Sequence, residues 1–256
     1  MVRRALLIIL VPLLLMTAGV GAPAAAAAAR PVTTSANAEA RMGKVGAPPR
    51  SARAAARLVF KRPELRPENR AATHRRPTKA QLARFRRQSD MPYRSRVSGQ
   101  YAGTTDQVIQ WAAFKHRIPV DLARAVAVVE SYWVMSTLGD NGDSFGLFQM
   151  RRPYHCCLPF MQRDAAFNAD YWGAIVRAFY DGRQTWLNTV DGNGRGYTSG
   201  DLWGSLGVWA SGRWHDGSAE TYIAKVKQVL DERTWTTENF RRYYTVAGRP
   251  VDRGPR

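Results

Sequence analysis

The chain from Gly99 onward repeats apolar side chains at helical spacing, and this pattern limits its fold more than any other feature. In one segment Leu122, Ala125, Val126, Val129 and Trp133 recur at steps of three and four, which predicts an amphipathic helix. A Thr104/Gln107 capping box predicts a helix before it, and further helices are predicted at Asp164–Tyr180, Leu202–Trp209 and Ala219–Leu230. Long loops are expected around residues 136–160 and 183–200. No alternating strand pattern of convincing length occurs, so we expect one mainly α-helical globular domain over residues 98–246, followed by a flexible tail (247–256).

The first 29 residues have the order of a secretory signal. Arg3 and Arg4 precede an apolar run from Ala5 to about Val20, and small residues continue to Ala29. The run is shorter than the roughly 20 residues that a membrane-spanning helix needs, although an uncleaved anchor is the alternative. We therefore expect a secreted, extracytoplasmic protein that meets the membrane only through this signal.

Most of the positive charge lies in residues 30–97. This segment holds 18 Lys and Arg against Glu39, Glu64, Glu68 and Asp90, within a chain of net charge +18. It is rich in Ala, Arg and Pro and poor in large apolar residues, a composition that predicts disorder because too little apolar surface is available for burial. A short helix is predicted within Thr78–Asp90. The segment suits a polyanionic partner, or is a solvated linker with no partner.

The two cysteines, Cys156 and Cys157, are adjacent. We expect small buried thiols or, less often, a disulfide between neighbours. With His155 they supply too few ligands for a structural zinc site, so no metal is predicted. The loop Asp191–Gly196 begins like a calcium loop, but Arg195 occupies a ligand position and Leu202 stands where the bidentate Glu belongs. No cofactor is expected.

Glu130 is the first candidate for chemistry. At about 100° per residue it lies about 80° from Leu122, at the edge of the apolar stripe, and Val126 and Ala127 precede it by one turn. Burial among apolar groups disfavours the charged form of a carboxyl and raises its pKa. A raised pKa is what a general acid needs near neutral pH, whereas most helical Glu side chains simply face water.

Several short motifs follow Glu130 in a fixed order. Ser131 comes next, then a GDNGDS loop, then Gly146-Leu-Phe-Gln-Met150. Farther along stand Trp209-Ala-Ser-Gly212 and the helix motif Glu220-Thr-Tyr222. In this order they resemble the soluble lytic transglycosylase domain family, which has the goose-type lysozyme-like fold. The resemblance covers about Ile118 to Leu230.

The resemblance implies cleavage of peptidoglycan glycan strands by Glu130 as single catalytic acid and base. Glu130 protonates the oxygen between N-acetylmuramic acid and N-acetylglucosamine, and the muramyl 6-hydroxyl then attacks C1 to give a 1,6-anhydro product. The Tyr222 hydroxyl is expected to point toward Glu130. The other residues expected to contact the sugar are Ser131, Gly146, Phe148, Gln149, Met150 and Ser211, the last because Ala210-Ser211-Gly212 replaces the family's Asn-Ala-Gly turn.

The sequence leaves two other functions open. Asp140 or Asp143 in the loop after Glu130 is a possible second carboxylate, which makes a hydrolase on the same fold the first alternative. The second is a non-catalytic protein that binds cell walls or other polyanions. Expected partners are peptidoglycan strands and, through residues 30–97, anionic wall polymers or lipid headgroups; nucleic acid is not expected, and the protein is expected to be a monomer. Aromatic residues that are either sugar platforms or core are Trp133, Phe148, Tyr154, Trp203, Trp209 and Trp214.

Overall fold

The computed structural model describes residues 31–152, 154–189 and 196–243. The predicted signal, the predicted tail and residues 191–195 of the calcium-like loop lie outside these residues. The described residues from Val32 onward belong to one compact unit. Its helices are α1 (Ala52–Ala56), α2 (Arg70–His74), α3 (Lys79–Gln88), α4 (Thr105–His116), α5 (Val120–Ser131), α6 (Phe160–Arg163), α7 (Ala165–Tyr180), α8 (Leu202–Ser211), α9 (Gly217–Glu232) and α10 (Glu238–Arg242).

The predicted mainly helical domain is confirmed, and α4, α5, α7, α8 and α9 lie within a few residues of the predicted helices. The Thr104/Gln107 capping box forms, with Thr104 Oγ1 accepting from Gln107 N and Gln107 Oε1 accepting from Thr104 N. The central helix α7 is buried along its whole length. It packs against α4 and α8, while α9 packs against α5 and α8.

A small antiparallel sheet, which the sequence did not predict, lies in the loop after α5. Its strands are β1 (Leu138–Gly139), β2 (Ser144–Phe145) and β3 (Met150–Arg151), in the order β1-β2-β3. Leu138 pairs with Phe145, and Phe145 pairs with Met150. Strands of two residues are too short to produce an alternating sequence pattern, which is why the segment reads as loop.

The prediction of disorder for residues 30–97 is wrong for the described part of that segment. Residues 32–97 form a layer on the helical core, here called the N-terminal layer, which includes α1, α2 and α3. The predicted short helix is α3, and its Thr78/Gln81 capping box is complete. The apolar residues that this layer buries are Ala38, Met42, Ala55, Leu82, Phe85, Met91, Tyr93 and Val97. These few side chains join the core of the helices, so the segment needs no core of its own.

Arg66 ties the N-terminal layer to both α5 and α10. The side chain is fully buried and donates to the carbonyls of Leu65, Tyr132 and Phe240, at 2.6, 3.0 and 3.1 Å. Its guanidinium also lies 4.0 Å from the centre of the Phe240 ring. The hydrogen bonds and the aromatic contact compensate for burying this charge, which explains how an arginine becomes part of the core.

A second buried polar cluster joins α4 to α7. Lys115 Nζ lies 2.5 Å from Asp170 Oδ2, and His116 Nε2 lies 2.6 Å from Asp170 Oδ1. Burial by itself raises the pKa of Asp170, but the Lys115 charge and the His116 hydrogen bond outweigh it and hold the pKa well below its ordinary value. Burial lowers the pKa of His116. The neutral imidazole therefore donates to the ionised Asp170.

Among the described residues, no helix is both long enough and apolar enough to cross a membrane.

Candidate active site

Glu130 lies in the last turn of α5, where its side chain is partly buried. The helix ends at Tyr132, which adopts the left-handed conformation (φ 56°) and donates its N–H back to carbonyls of the last turn. This abrupt end leaves Glu130 at a helix terminus, facing α8 and α9.

Two donors converge on one oxygen of Glu130. Trp209 Nε1 donates to Glu130 Oε1 at 2.9 Å, and the Tyr222 hydroxyl donates to the same oxygen. Burial, followed by the charge and hydrogen bond of Glu130, raises the pKa of Tyr222 well above its ordinary value. The phenol therefore stays protonated and acts as a donor throughout the neutral range.

The pairing of α8 with α9 brings Trp209 and Tyr222 to Glu130. Each helix begins at an aspartate that accepts from a backbone N–H of the first turn: Asp201 from Gly204 and Asp216 from Ala219, both at 2.7 Å. Gly207 permits the close approach of the two helices, since a Cβ there would lie 2.8 Å from Ala219 Cβ.

The segment 146–150 is held by buried contacts from its own chain. Ser131 Oγ donates to the carbonyl of Leu147 at 2.9 Å. From α7, Asn168 accepts from Phe148 N at 3.0 Å and donates to the carbonyl of Phe145 at 2.9 Å. Asn168 is therefore an organising residue that the sequence analysis does not identify, because its partners Phe145 and Phe148 lie about 20 residues earlier in the chain.

Most of the residues in this segment that the sequence predicts to contact the sugar are buried in the structure. Ser131, Phe148 and Met150 have buried side chains and Gly146 is buried as well, and their contacts with a glycan stay predictions. Gly146 has φ +80°, and a Cβ there would lie 2.6 Å from Asn168 Nδ2, so the chain itself requires this glycine.

Gln149 and Ser211 are only partly exposed and bond locally. Gln149 Nε2 donates to the carbonyls of Gly146 and Thr137, at 2.9 and 3.2 Å. Ser211 Oγ contacts the carbonyls of Gly207 and Arg213, each at 3.1 Å, and accepts from Arg213 N. Both side chains therefore stabilise the backbone of their own segments.

Asp140 and Asp143, the possible second carboxylates, are paired with arginines of the same loop. Asp140 Oδ2 accepts from Ser144 Oγ at 2.5 Å and lies 3.5 Å from Arg151 Nε. Asp143 Oδ1 lies 2.6 Å from Arg152. The side chains of Asp140 and Asp143 are 47% and 43% exposed. Their ion pairs therefore contribute little to the stability of the turn around the small sheet.

The aromatic candidates separate by exposure. Trp133, Phe148 and Trp214 are buried in the core, whereas Trp203 and Trp209 are partly exposed. Tyr154 is 72% exposed and has the Arg151 guanidinium 5.6 Å from its ring centre. Among these six residues, Tyr154 therefore offers the largest open ring.

The loop that carries Tyr154 also brings His155 to the site. The His155 ring stacks on Trp209, with ring centres 5.5 Å apart and planes 12° from parallel. Cys156 and Cys157, directly after it, form a disulfide. The expectation of two buried thiols is therefore wrong, and the less favoured alternative, a disulfide between neighbours, is present.

A separate cavity of about 490 Å³ lies on another face of α9. His215 contacts Asp201 at 2.8 Å and Glu220 at 2.5 Å inside it, and Trp203 and Lys227 line its wall. Glu220 and Tyr222 lie two residues apart, about 200° around the helix, so α9 presents them to different surroundings.

The structure thus brings Glu130, Tyr222 and Trp209 together, and in the 146–150 segment it buries every residue except Gln149. The sequence places Trp209 in the Trp209-Ala-Ser-Gly212 motif and among the aromatic candidates, but it does not predict a bond from the indole to Glu130, and it considers His155 only as a metal ligand. In the described part of the chain, no group of His, Cys, Asp or Glu side chains is arranged to hold a metal ion. Comparisons with protein families, with curated proteins and with solved structures gave no match.

Proposed function

We propose that this protein is a secreted peptidoglycan lytic transglycosylase with a lysozyme-like domain and Glu130 as its catalytic acid and base. The observation that carries the proposal is the convergence of Trp209 and Tyr222 on Glu130 Oε1 at the end of α5. A carboxyl held by two donors from other helices has a fixed orientation, which proton transfer to a bound substrate requires.

The reaction uses one carboxyl and the substrate's own hydroxyl. Glu130 gives its proton to the glycosidic oxygen as the bond from C1 of N-acetylmuramic acid breaks. The resulting carboxylate takes the proton of the muramyl 6-hydroxyl, whose oxygen forms the new bond to C1. Glu130 ends in the protonated state in which it began, so no water is consumed and no metal or cofactor takes part.

The tyrosine and the tryptophan serve this cycle as donors that do not titrate. Each offers its hydrogen to Oε1 while Glu130 is ionised, the state in which charge on that oxygen is greatest. Fixed donors stabilise that charge without the reorganisation that water would need. The exposed Tyr154 ring, on the loop next to His155, is the platform on which we place a sugar ring.

The basic residues are proposed to bind anionic wall polymers from a folded surface. Arg84, Arg86 and Arg87 of α3 are exposed, and so are Arg94 and Arg96 after it. Contacts of this kind release counterions, so binding to intact walls is expected to weaken as salt rises.

The decisive experiment is digestion of purified peptidoglycan by the wild type and by Glu130→Gln, with the products weighed by mass spectrometry. We expect 1,6-anhydro muropeptides, each one water lighter than a hydrolysis product. Glu130→Gln is expected to lose about 10²–10⁴-fold or more in rate while keeping its fold, because Gln cannot donate and reclaim a proton. The control is Glu238→Gln, the same change at an exposed residue of α10.

The other outcomes distinguish the alternatives. Reducing-end muropeptides from an active enzyme indicate the hydrolase. Binding to walls without any cleavage indicates the non-catalytic protein. Equal activity of the wild type and Glu130→Gln contradicts the assignment of the acid.

A further inference from the structure

His155 occupies a specific position behind the donor pair of Glu130. It lies between β3 and α6, and its backbone N–H donates to the carbonyl of Arg151 at 2.9 Å. One contact of its ring is the stack on Trp209, 5.5 Å between centres and 12° between planes. Another is an edge contact with Tyr171 of α7, also 5.5 Å between centres but at 74°. The ring is therefore fixed by the buried helix and in turn contacts the indole.

Trp209 needs such a contact if its hydrogen bond is to keep one direction. The residue is in the last turn of α8 and is only partly buried, next to the exposed Ala210. A single Nε1–H bond of 2.9 Å sets a distance to Glu130 but leaves the indole plane free to tilt. Stacking against a parallel ring removes that tilt, because an offset stack is favourable only over a narrow range of plane angles.

The imidazole does this as a neutral ring. Burial lowers the pKa of His155 to about 4, against an opposing effect of Asp90. Tyr171, on its other side, has a pKa raised by burial to about 12 and is also neutral. The stacked His155 ring therefore adds no charge near Glu130 at neutral pH. It acts on Trp209 only through the shape and the plane of its ring.

We propose that His155 is a positioning residue for glycan cleavage, whose ring fixes the plane of the Trp209 indole and so aims its N–H at Glu130 Oε1. The proposal rests on the proposed function for its effect on rate. The orientation of the Trp209 indole by His155 is measured independently of any activity.

The test compares His155→Leu with His155→Phe in the full secreted protein. Leucine keeps a similar apolar volume without a ring, whereas phenylalanine keeps the ring without nitrogen. The rate is measured on purified peptidoglycan. The geometry is measured by the indole ¹H–¹⁵N resonance of Trp209, assigned with Trp209→Phe. His74→Ala, a histidine exposed on α2, is the control.

We expect His155→Leu to lower kcat about 10- to 100-fold at little change in KM, and to shift or broaden the Trp209 resonance, because the donor is misplaced. His155→Phe is expected to restore both the rate and the resonance. If His155→Leu does not fold, His155→Ala at lower temperature replaces it in the same comparison with His155→Phe.

Two results overturn the proposal. One is an unchanged kcat and resonance in His155→Leu. The other is a His155→Phe variant as slow as His155→Leu with a wild-type resonance, which assigns the effect to the imidazole itself. If the wild type cleaves no peptidoglycan, the proposed function fails, and the resonance in the two variants still decides whether His155 orients Trp209.

Discussion

Tyr222 and Trp209, from two different helices, donate to the same oxygen of Glu130. Because α8 and α9 pack on each other and α9 packs on α5, the three residues lie on one group of packed helices. The carboxyl is therefore oriented by the packing of three helices and not by its own helix alone. Changes in either donor are expected to alter chemistry more than stability.

Removing the phenol hydroxyl is the first test of this arrangement. We expect Tyr222→Phe to lower kcat about 10- to 100-fold, since a hydrogen bond to a charged group contributes about 1.5–3 kcal/mol. Tyr197→Phe is the control, because the Tyr197 hydroxyl donates to the carbonyl of Phe179 and not to Glu130. Rates are measured on purified peptidoglycan, and a Tyr222→Phe enzyme as fast as the wild type contradicts the role given to the donor.

The two loop aspartates are expected to be dispensable for cleavage. Asp140→Asn and Asp143→Asn break ion pairs with Arg151 and Arg152 that are half exposed, so each is expected to cost no more than about 1 kcal/mol of stability. Anhydro products and near wild-type rates are expected from both variants. If the wild type gives reducing-end products and either variant loses activity, the hydrolase mechanism is favoured, in which a second carboxylate positions water.

The N-terminal layer is expected to be essential for folding. Arg66→Ala removes a buried guanidinium that serves three carbonyls, and we expect it to lower the free energy of unfolding by about 3 kcal/mol or more. Arg66→Lys is expected to restore little of the lost stability, because an ammonium group lacks the planar set of N–H donors with which the guanidinium reaches the three carbonyls. Urea unfolding measures the effect, with Arg70→Ala, exposed on α2, as control.

A protein that begins at Ser98 tests the same layer more severely. Deleting residues 31–97 exposes the core that Phe85, Tyr93 and Val97 cover. We expect this shortened chain not to fold. A shortened chain with wild-type stability contradicts the packing of the layer.

Two helix-capping positions are expected to respond oppositely to pH. Asp164, at the start of α7, makes no capping hydrogen bond, and burial raises its pKa to about 6 against the opposing charges of Arg75 and Arg163. Because the folded pKa lies above the unfolded value of about 3.9, the free energy of unfolding falls as pH rises from about 3.9 to about 6. Above that range the ionised Asp164 destabilises the fold in full. Asp164→Asn is therefore expected to be more stable than the wild type at pH 7.5, with the gain disappearing as pH falls to about 4.

Asp216, at the start of α9, supplies the matched control. Its hydrogen bond from Ala219 N lowers its pKa, so its contribution is present above the unfolded pKa and is lost as pH falls through the folded one. Asp216→Asn is expected to be slightly less stable at neutral pH, the opposite direction. Thermal unfolding from about pH 2 to about pH 8 covers both pKa ranges, and equal responses in the two variants contradict the pKa assignment.

Local signals in the sequence were sufficient for the main helices but not for the N-terminal layer. Thr104 with Gln107, and the stripe from Leu122 to Trp133, act within a few residues of each other, so they can be recognised without a structure. The burial of Arg66 depends on the carbonyl of Phe240, 174 residues away. Composition alone therefore predicted a disordered polycation where the chain forms a packed layer.

The candidate site also has one part that short sequence motifs predict and another part that depends on the tertiary fold. The contact of Tyr222 with Glu130 could be expected from a resemblance, since both residues stand in short motifs. The indole bond of Trp209 and the stack of His155 on it depend on how a loop folds back over α8, which no local pattern reports. Ser131 and Phe148 stand in those motifs as well, yet they support the backbone from inside.

The bonds of the N-terminal layer to late parts of the chain set the order of events during synthesis. Ser35 bonds to Asp231 and Arg66 to Phe240, so these contacts of the N-terminal layer form only after the residues up to Phe240 have been made. Contacts between residues so far apart in sequence close long loops, and we expect them to slow folding.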